Sequence, residues 1–130
     1  MSQFTTELVV EPIGDGRYVL VEPFEYHVGC YPSDEVIKVP VGFDTDFASV
    51  PKFAQWLIAK RGKHDKADVV HDYCYRYGLY NKYRCDIIYL EAMTVLDVPK
   101  WKRTIMFTSV LLFGWASWFK DRYNQYIRSK

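Results

Sequence analysis

Cysteine is scarce in this chain of 130 residues: Cys30, Cys74 and Cys85 are an odd set, too sparse for a disulfide scaffold. With 7 Gly and 6 Pro and no sustained heptads, the chain is not collagen-like, low-complexity or coiled-coil. Net charge is nearly absent, at +1, so no bulk electrostatic pull toward nucleic acid exists and no nucleic-acid partner is expected. The first residues show no basic stretch leading into an apolar one. No signal peptide is read there, and synthesis in a reducing cytoplasm is expected. Long apolar runs are also missing. Residues 104–119 carry no charge, but these 16 residues include Thr104, Thr108, Ser109, Gly114 and Ser117, and a membrane span needs about 20 apolar residues.

Aromatic residues are abundant, 18% of the chain, with 11 Tyr. Together with 49% hydrophobic residues they predict a small core filled by large side chains, or a surface made for a partner. Charge is unevenly spread. Residues 1–50 hold nine acids and two bases, whereas residues 100–130 hold seven bases and one acid. Two halves attracting each other within one fold explain this, and so does an anionic partner such as a membrane surface.

The pattern predicts one α+β domain over residues 1–130, strand-rich over 1–50 and helical over 51–130. Residues 6–12 and 18–21 flank Gly14-Asp15-Gly16 and read as an antiparallel hairpin, with residues 24–28 prolonging its second strand. Residues 36–39 make a third strand. From Pro51 the period becomes helical: a first helix over about 51–60, then 65–77, 83–96 and 100–123. The second and third form an antiparallel helical hairpin around residues 78–81. Residues 104–119 are expected to be a central core helix covering the strands. Lys102, Arg103, Lys120 and Arg122, with Trp101, Trp115 and Trp118, leave an interfacial membrane helix as the competing reading.

His71 shares an apolar helical stripe with Ala67, Val70 and Cys74, and Asp86 shares one with Tyr83, Leu90 and Met93. Both should point inward. The two residues are equidistant from the turn at 78–81, so the hairpin sets them face to face. A carboxylate that fixes an imidazole tautomer leaves the other ring nitrogen basic, the arrangement of a general base. The same pair serves equally as a structural hydrogen bond. Upstream, Gly42, Asp44, Thr45 and Asp46 lie at a strand-to-helix corner, where Asp44, Thr45 and Asp46 offer hard oxygens to a cation such as Ca²⁺. Asp72 adds a further carboxylate. Ser49 suits the N-cap before Pro51, and an Asx-type turn accounts for the corner without a metal.

Two segments carry a resemblance. Val-Pro-x-Gly-Phe-x-Thr-Asp-x-Ala-Ser-Val-Pro at 39–51, His-Asp-x-x-Tyr at 71–75 with Tyr75 closing the motif, Asp86, and Phe-Gly-Trp at 113–115 resemble a family of short phage and prophage proteins classed as a domain of unknown function. That resemblance covers about residues 35–118. It implies a phage origin, a host cytoplasm as the place of synthesis and other phage proteins as partners, with virion association a further expectation. More locally, His71-Asp72-Tyr73-Cys74-Tyr75 is similar to the His-Asp-x-Cys-Tyr helix of phospholipases A2. By that similarity His71 is the base, Asp72 a calcium ligand and Asp86 the group orienting His71. The Gly-rich calcium loop and the disulfide framework of that family are lacking here, and only residues 42–46 stand in for the loop. The expected protein is a phage accessory factor with a His/Asp site: a metal-assisted hydrolase at the cell envelope in entry or lysis, or a non-catalytic virion or assembly protein.

Overall fold

The computed structural model describes residues 3–46 and 63–129. Strand β1 (Val10–Gly14) turns into β2 (Arg17–Leu20). At the turn Asp15 and Gly16 take φ of 55° and 71°, the pair of left-handed residues that a tight type I′ hairpin needs to match strand twist. Strands β3 (Phe24–His27) and β4 (Val36–Val39) pair antiparallel in a separate two-stranded sheet. Strand β5 (Asp44–Thr45) returns to the first sheet, setting Thr45 opposite Tyr18 and Asp44 opposite Val19.

Two strand expectations are corrected. Residues 24–28 do not prolong the second strand: residues 21–22 bend, and Pro23, which has no N–H to donate to a ladder, lets the chain change sheets. The first strand, expected over residues 6–12, begins only at Val10, and residues 4–6 lie outside the hairpin. They attach instead to β3, through a bridge between Phe4 and Tyr26 and a hydrogen bond from the Glu25 N–H to Thr6 Oγ1 at 3.0 Å.

Helix α1 (Asp65–Tyr77) has the predicted bounds. It stops because Gly78 turns left-handed, with φ 57°, and the Leu79 N–H reaches back to the Cys74 carbonyl at 3.2 Å. Helix α2 (Lys82–Val95) is started by Asn81, whose side-chain oxygen accepts from the Arg84 N–H at 2.8 Å. The inner faces of these two helices, including Ala67, Val70, Cys74, Ile88, Tyr89 and Met93, join Leu20, Phe24, Tyr26, Ile37 and Val39 of the strands in one buried cluster. On α2, Glu91 gathers the chain's beginning: its Oε1 accepts from Gln3 Nε2 at 2.9 Å, from the Gly29 N–H at 2.8 Å and from the Tyr26 hydroxyl. The helix expected over residues 51–60 lies outside the described residues.

The long last helix is two. Helix α3 (Lys100–Phe113) and helix α4 (Trp115–Arg128) meet at Gly114. A Cβ on Gly114 would lie 2.3 Å from the Val110 carbonyl oxygen and 2.7 Å from the Tyr75 hydroxyl, closer than any real contact. Lys82 Nζ also donates there, to the carbonyls of Val110 at 2.9 Å and Leu111 at 3.1 Å. Polar groups from α1 and α2 therefore press into the point where α3 ends. The expectation of a core helix over 104–119 is corrected with it. Only Met106, Ser109 and Val110 of α3 are buried, and no residue of α4 is, because α1 and α2 already cover the sheets. Helix α3 packs on α2, and α4 packs on α1.

The α4 contact has a polar anchor. Arg122 donates to the Tyr75 and Arg76 carbonyls, and Gln125 Nε2 to the Tyr77 carbonyl at 3.0 Å. These are the open carbonyls at the C-terminus of α1, where a cation is favoured. The guanidinium also lies 4.2 Å over the Trp118 ring.

Gly114→Ala is expected to destabilise the fold by about 1–3 kcal/mol, the usual cost of forcing atoms into a packed site. A shift of the urea midpoint to lower concentration checks this, and an unchanged midpoint would show that the junction is loose.

Candidate functional site

The α1–α2 hairpin sets His71 and Asp86 against each other, with Nε2 and Oδ1 at 2.8 Å. Asp86 is the centre of a larger set. Its Oδ1 also accepts from the Tyr75 hydroxyl at 2.6 Å, and its Oδ2 from Lys82 Nζ at 2.8 Å. All four side chains are buried. Burial alone would push the Asp86 carboxyl up, but the three hydrogen bonds together hold it below the usual carboxylate value, so it is ionised. Burial pushes the His71 imidazole down, and the Lys82 charge adds to this against the opposing pull of Asp86. His71 is therefore neutral near pH 7. It donates Nε2–H to Asp86, which leaves Nδ1 as a lone-pair nitrogen. The ring lies between those of Tyr75 and Tyr89, tilted to both by 44° and 33°, with centroids at 4.1 and 4.5 Å.

His71 lines a cavity of about 350 Å³. Asp46, Asp72 and Arg76 line it with His71, Arg17 enters from β2, and α4 supplies Lys120 and Asp121. Burial raises the Asp72 carboxyl to about 6, assisted by the nearby charge of Asp46, while Arg76 and a hydrogen bond with Thr45 oppose the rise. Arg76 lies 3.6 Å from Asp72. Burial likewise raises Asp121. The cavity thus holds a neutral imidazole, a carboxyl that changes charge near pH 6, and three cationic side chains.

Asp46 and Asp72 meet in this cavity with His71, whereas Asp44 does not line it. One Asp44 oxygen accepts from Arg76 at 2.9 Å and the other from Arg17. Burial would raise Asp44, and the two guanidiniums hold it below its usual value instead. It is a clasp between the first sheet and α1. Thr45 is fully buried and hydrogen-bonds Asp72, which makes it a positioning group. Ser49 lies outside the described residues. The sequence reading passed over Lys82, although it stands four residues before Asp86 in one helix, a spacing that brings opposite charges together. Arg76 follows Asp72 by the same interval. Arg17 and Lys120 carried no such signal, since only the tertiary fold brings them in.

A second His–Asp pair lies elsewhere. His64 Nδ1 and Asp68 Oδ2 are 2.6 Å apart, and the Tyr89 hydroxyl donates to Asp68. Burial raises Asp68 to about 7 against the pull of His64. His64, Asp65 and Asp68 form the one group of three metal-ligating side chains with converging ligand atoms among the described residues. His64 and Asp68 are already bonded to each other and do not line the cavity that holds His71.

A carboxylate–imidazole pair at the wall of a cavity, on a helical hairpin against two small sheets, defines an α+β protein with a site fit for acid–base chemistry. The family model described as "Protein of unknown function (DUF1353)" matches residues 18–110, and the chain belongs to that family. The match includes β2 to α2 and most of α3, so it starts earlier than the resemblance read from the motifs and ends before Phe113-Gly114-Trp115. No curated protein and no solved structure matches the chain.

Lys82→Ala is expected to cost about 3–5 kcal/mol, because it removes one partner of a buried ion pair. The double variant Lys82→Met with Asp86→Leu should regain much of that loss. Urea unfolding of the three proteins checks both statements, and a loss under about 1 kcal/mol for Lys82→Ala would mean that the pair is solvated.

Asp72 gives a pH test. Its folded value of about 6 lies above the unfolded value of about 3.9. The native state therefore keeps a proton that the unfolded chain releases. This contribution is full below about pH 4 and is lost as pH rises through about 6. Asp72→Asn removes it, so the stability of the variant relative to wild type should rise between pH 4 and 7. Thermal midpoints of both proteins across that range show whether the difference climbs, stays flat or falls.

Proposed function

We propose that this protein is a phage-encoded hydrolase acting at the cell envelope during entry or lysis, with His71 as general base. The observation that supports this most is the His71–Asp86 bond at the wall of the cavity: it fixes the tautomer with Nε2–H on Asp86 and leaves Nδ1 as the basic nitrogen. In this reading His71 Nδ1 takes a proton from water as its oxygen attacks an ester carbonyl. Asp72, protonated below about pH 6, gives its proton to the departing alkoxide. Arg76 and Lys120 face the negative charge that forms on the carbonyl oxygen. Asp86 is a positioning residue in this scheme. Asp46 and Asp72 are the groups that would hold a divalent cation, with Ca²⁺ suited to hard oxygens. Arg17, Arg76 and Lys120 in the same cavity oppose such a cation, so the side chains alone are taken as the working set.

His71→Ala tests this reading with limited damage to the fold, since Asp86 keeps Lys82 and Tyr75 as partners. Hydrolysis of ester and phospholipid substrates should fall by about 10²–10⁴-fold, the usual worth of a general base, while the unfolding midpoint moves little. The wild-type pH profile should be a bell on the acid side of neutrality. It rises as His71 loses its proton below its ordinary value and falls as Asp72 ionises near pH 6. Chelator and added Ca²⁺ form the second arm: loss of activity in chelator with recovery in Ca²⁺ assigns Asp46 and Asp72 to a metal. A folded His71→Ala protein with full activity overturns the catalytic reading.

One observation favours a second reading, a non-catalytic virion or assembly protein. The buried Asp86 set ties three helices together through Lys82 and has every charge satisfied, which is what a structural lock requires. Full phage growth with folded His71→Ala protein would support it.

A further inference from the structure

Helix α4 leaves one face uncovered. Trp115, Phe119 and Tyr123 follow each other at intervals of four along it, exposed to 49%, 62% and 64%, and Trp115 stacks on Phe119 with ring centroids 5.5 Å apart. Leu112, at the end of α3, is 60% exposed and precedes Trp115 by three residues. The side of α4 that faces α1 is different in character: Arg122 and Gln125 bind carbonyls there, and Trp118 packs edge-on to Tyr75. The uncovered aromatic face is therefore surplus to what holds α4 in place. Charge on this part of the molecule has one sign. Lys100, Lys102, Arg103, Lys120, Arg122 and Arg128 stand against Asp121 alone over residues 100–129, while nine of the chain's acids lie in its first fifty residues.

We propose that the α4 face is a docking surface for an anionic phospholipid bilayer, on which the helix lies parallel to the membrane plane. Indole and phenol rings suit the boundary between headgroups and acyl chains, because one part of each ring is apolar and another makes hydrogen bonds. Lysine and arginine beside them are drawn to anionic headgroups. The strand-rich half, with nine acids against two bases, is repelled by the same surface, so the charge asymmetry favours an orientation with α4 toward the lipid. No helix among the described residues is long and apolar enough to cross a membrane, which makes binding peripheral. Charge decides against a second copy of the chain as the occupant: pairing α4 with α4 would set two basic segments together.

The inference does not depend on catalysis, and the test keeps the two apart. The full chain is mixed with vesicles of phosphatidylglycerol and phosphatidylethanolamine, and separately with vesicles of phosphatidylcholine, and sedimented. Binding should favour the anionic vesicles by roughly tenfold or more and weaken as salt screens the charges. Phe119→Ser and Tyr123→Ser are the informative variants, since Trp115 also lies 4.8 Å from Lys82 Nζ and touches the buried network. Each should weaken vesicle binding by roughly tenfold with an unchanged unfolding midpoint, and the pair should abolish it. His71→Ala should bind as wild type does. Absence of binding to anionic vesicles at low salt overturns the proposal, as does binding that both serine variants retain. Concentration-dependent dimers that the serine variants abolish, without vesicle binding, would assign the face to a second copy instead.

Discussion

The buried ion pair of Lys82 and Asp86 is the constraint on which the helical half depends. Two charges withdrawn from water are tolerable only when each is met by further polar partners. Asp86 meets this need with His71 and Tyr75 on α1, and Lys82 meets it with two carbonyls at the end of α3. One pair on α2 therefore fixes how α1 and α3 approach it. The break at Gly114 follows, because the Tyr75 hydroxyl must come within reach of Asp86 and passes over the only residue type that leaves room. The neutral state of His71 comes first from its burial, and the Lys82 ammonium, which already balances the carboxylate, adds to it.

Much of this was legible in the sequence, and the reason is local. Helices α1 and α2 carry strong stops and starts in Gly78 and Asn81, and a hairpin so short has little freedom in its register. The facing of His71 and Asp86 could thus be read from their spacing. Asp72 adjoins His71 in the chain, whereas Asp46 reaches both only through the fold. What escaped was set by packing between distant segments. The Gly114 junction looked like mid-helix because nothing in residues 100–123 announces that a tyrosine from α1 presses there. Asp44 looked like a cation ligand, and the two arginines that claim it come from β2 and α1, remote in sequence. The change of sheet at Pro23 was written in the chain, but an extended pattern on both sides of the proline concealed it.

The two charge-bearing regions of the α1 helix answer different needs. Within it, His71 and Tyr75 both hydrogen-bond Asp86 in the buried interior. Asp72 and Arg76, one position further round, face the cavity and the clasp at Asp44. One stretch of helix thus sets a hydrogen-bonded network beside a carboxyl that changes charge near pH 6. That arrangement suits a site: the first set holds the geometry rigid, and the second is left to respond to whatever enters.

Arg122 has a thermodynamic implication beyond its packing. It closes the C-terminal carbonyls of α1 from a residue of α4, and the cavity takes part of its walls from those same two helices. Any fluctuation that lifts α4 away must uncap α1 while it widens the cavity. A molecule bound between them would hold the cap shut, and conversely a well-capped α1 would favour the closed cavity. Access to the site and the integrity of a helix end are then two readings of one equilibrium, reciprocal as linkage demands.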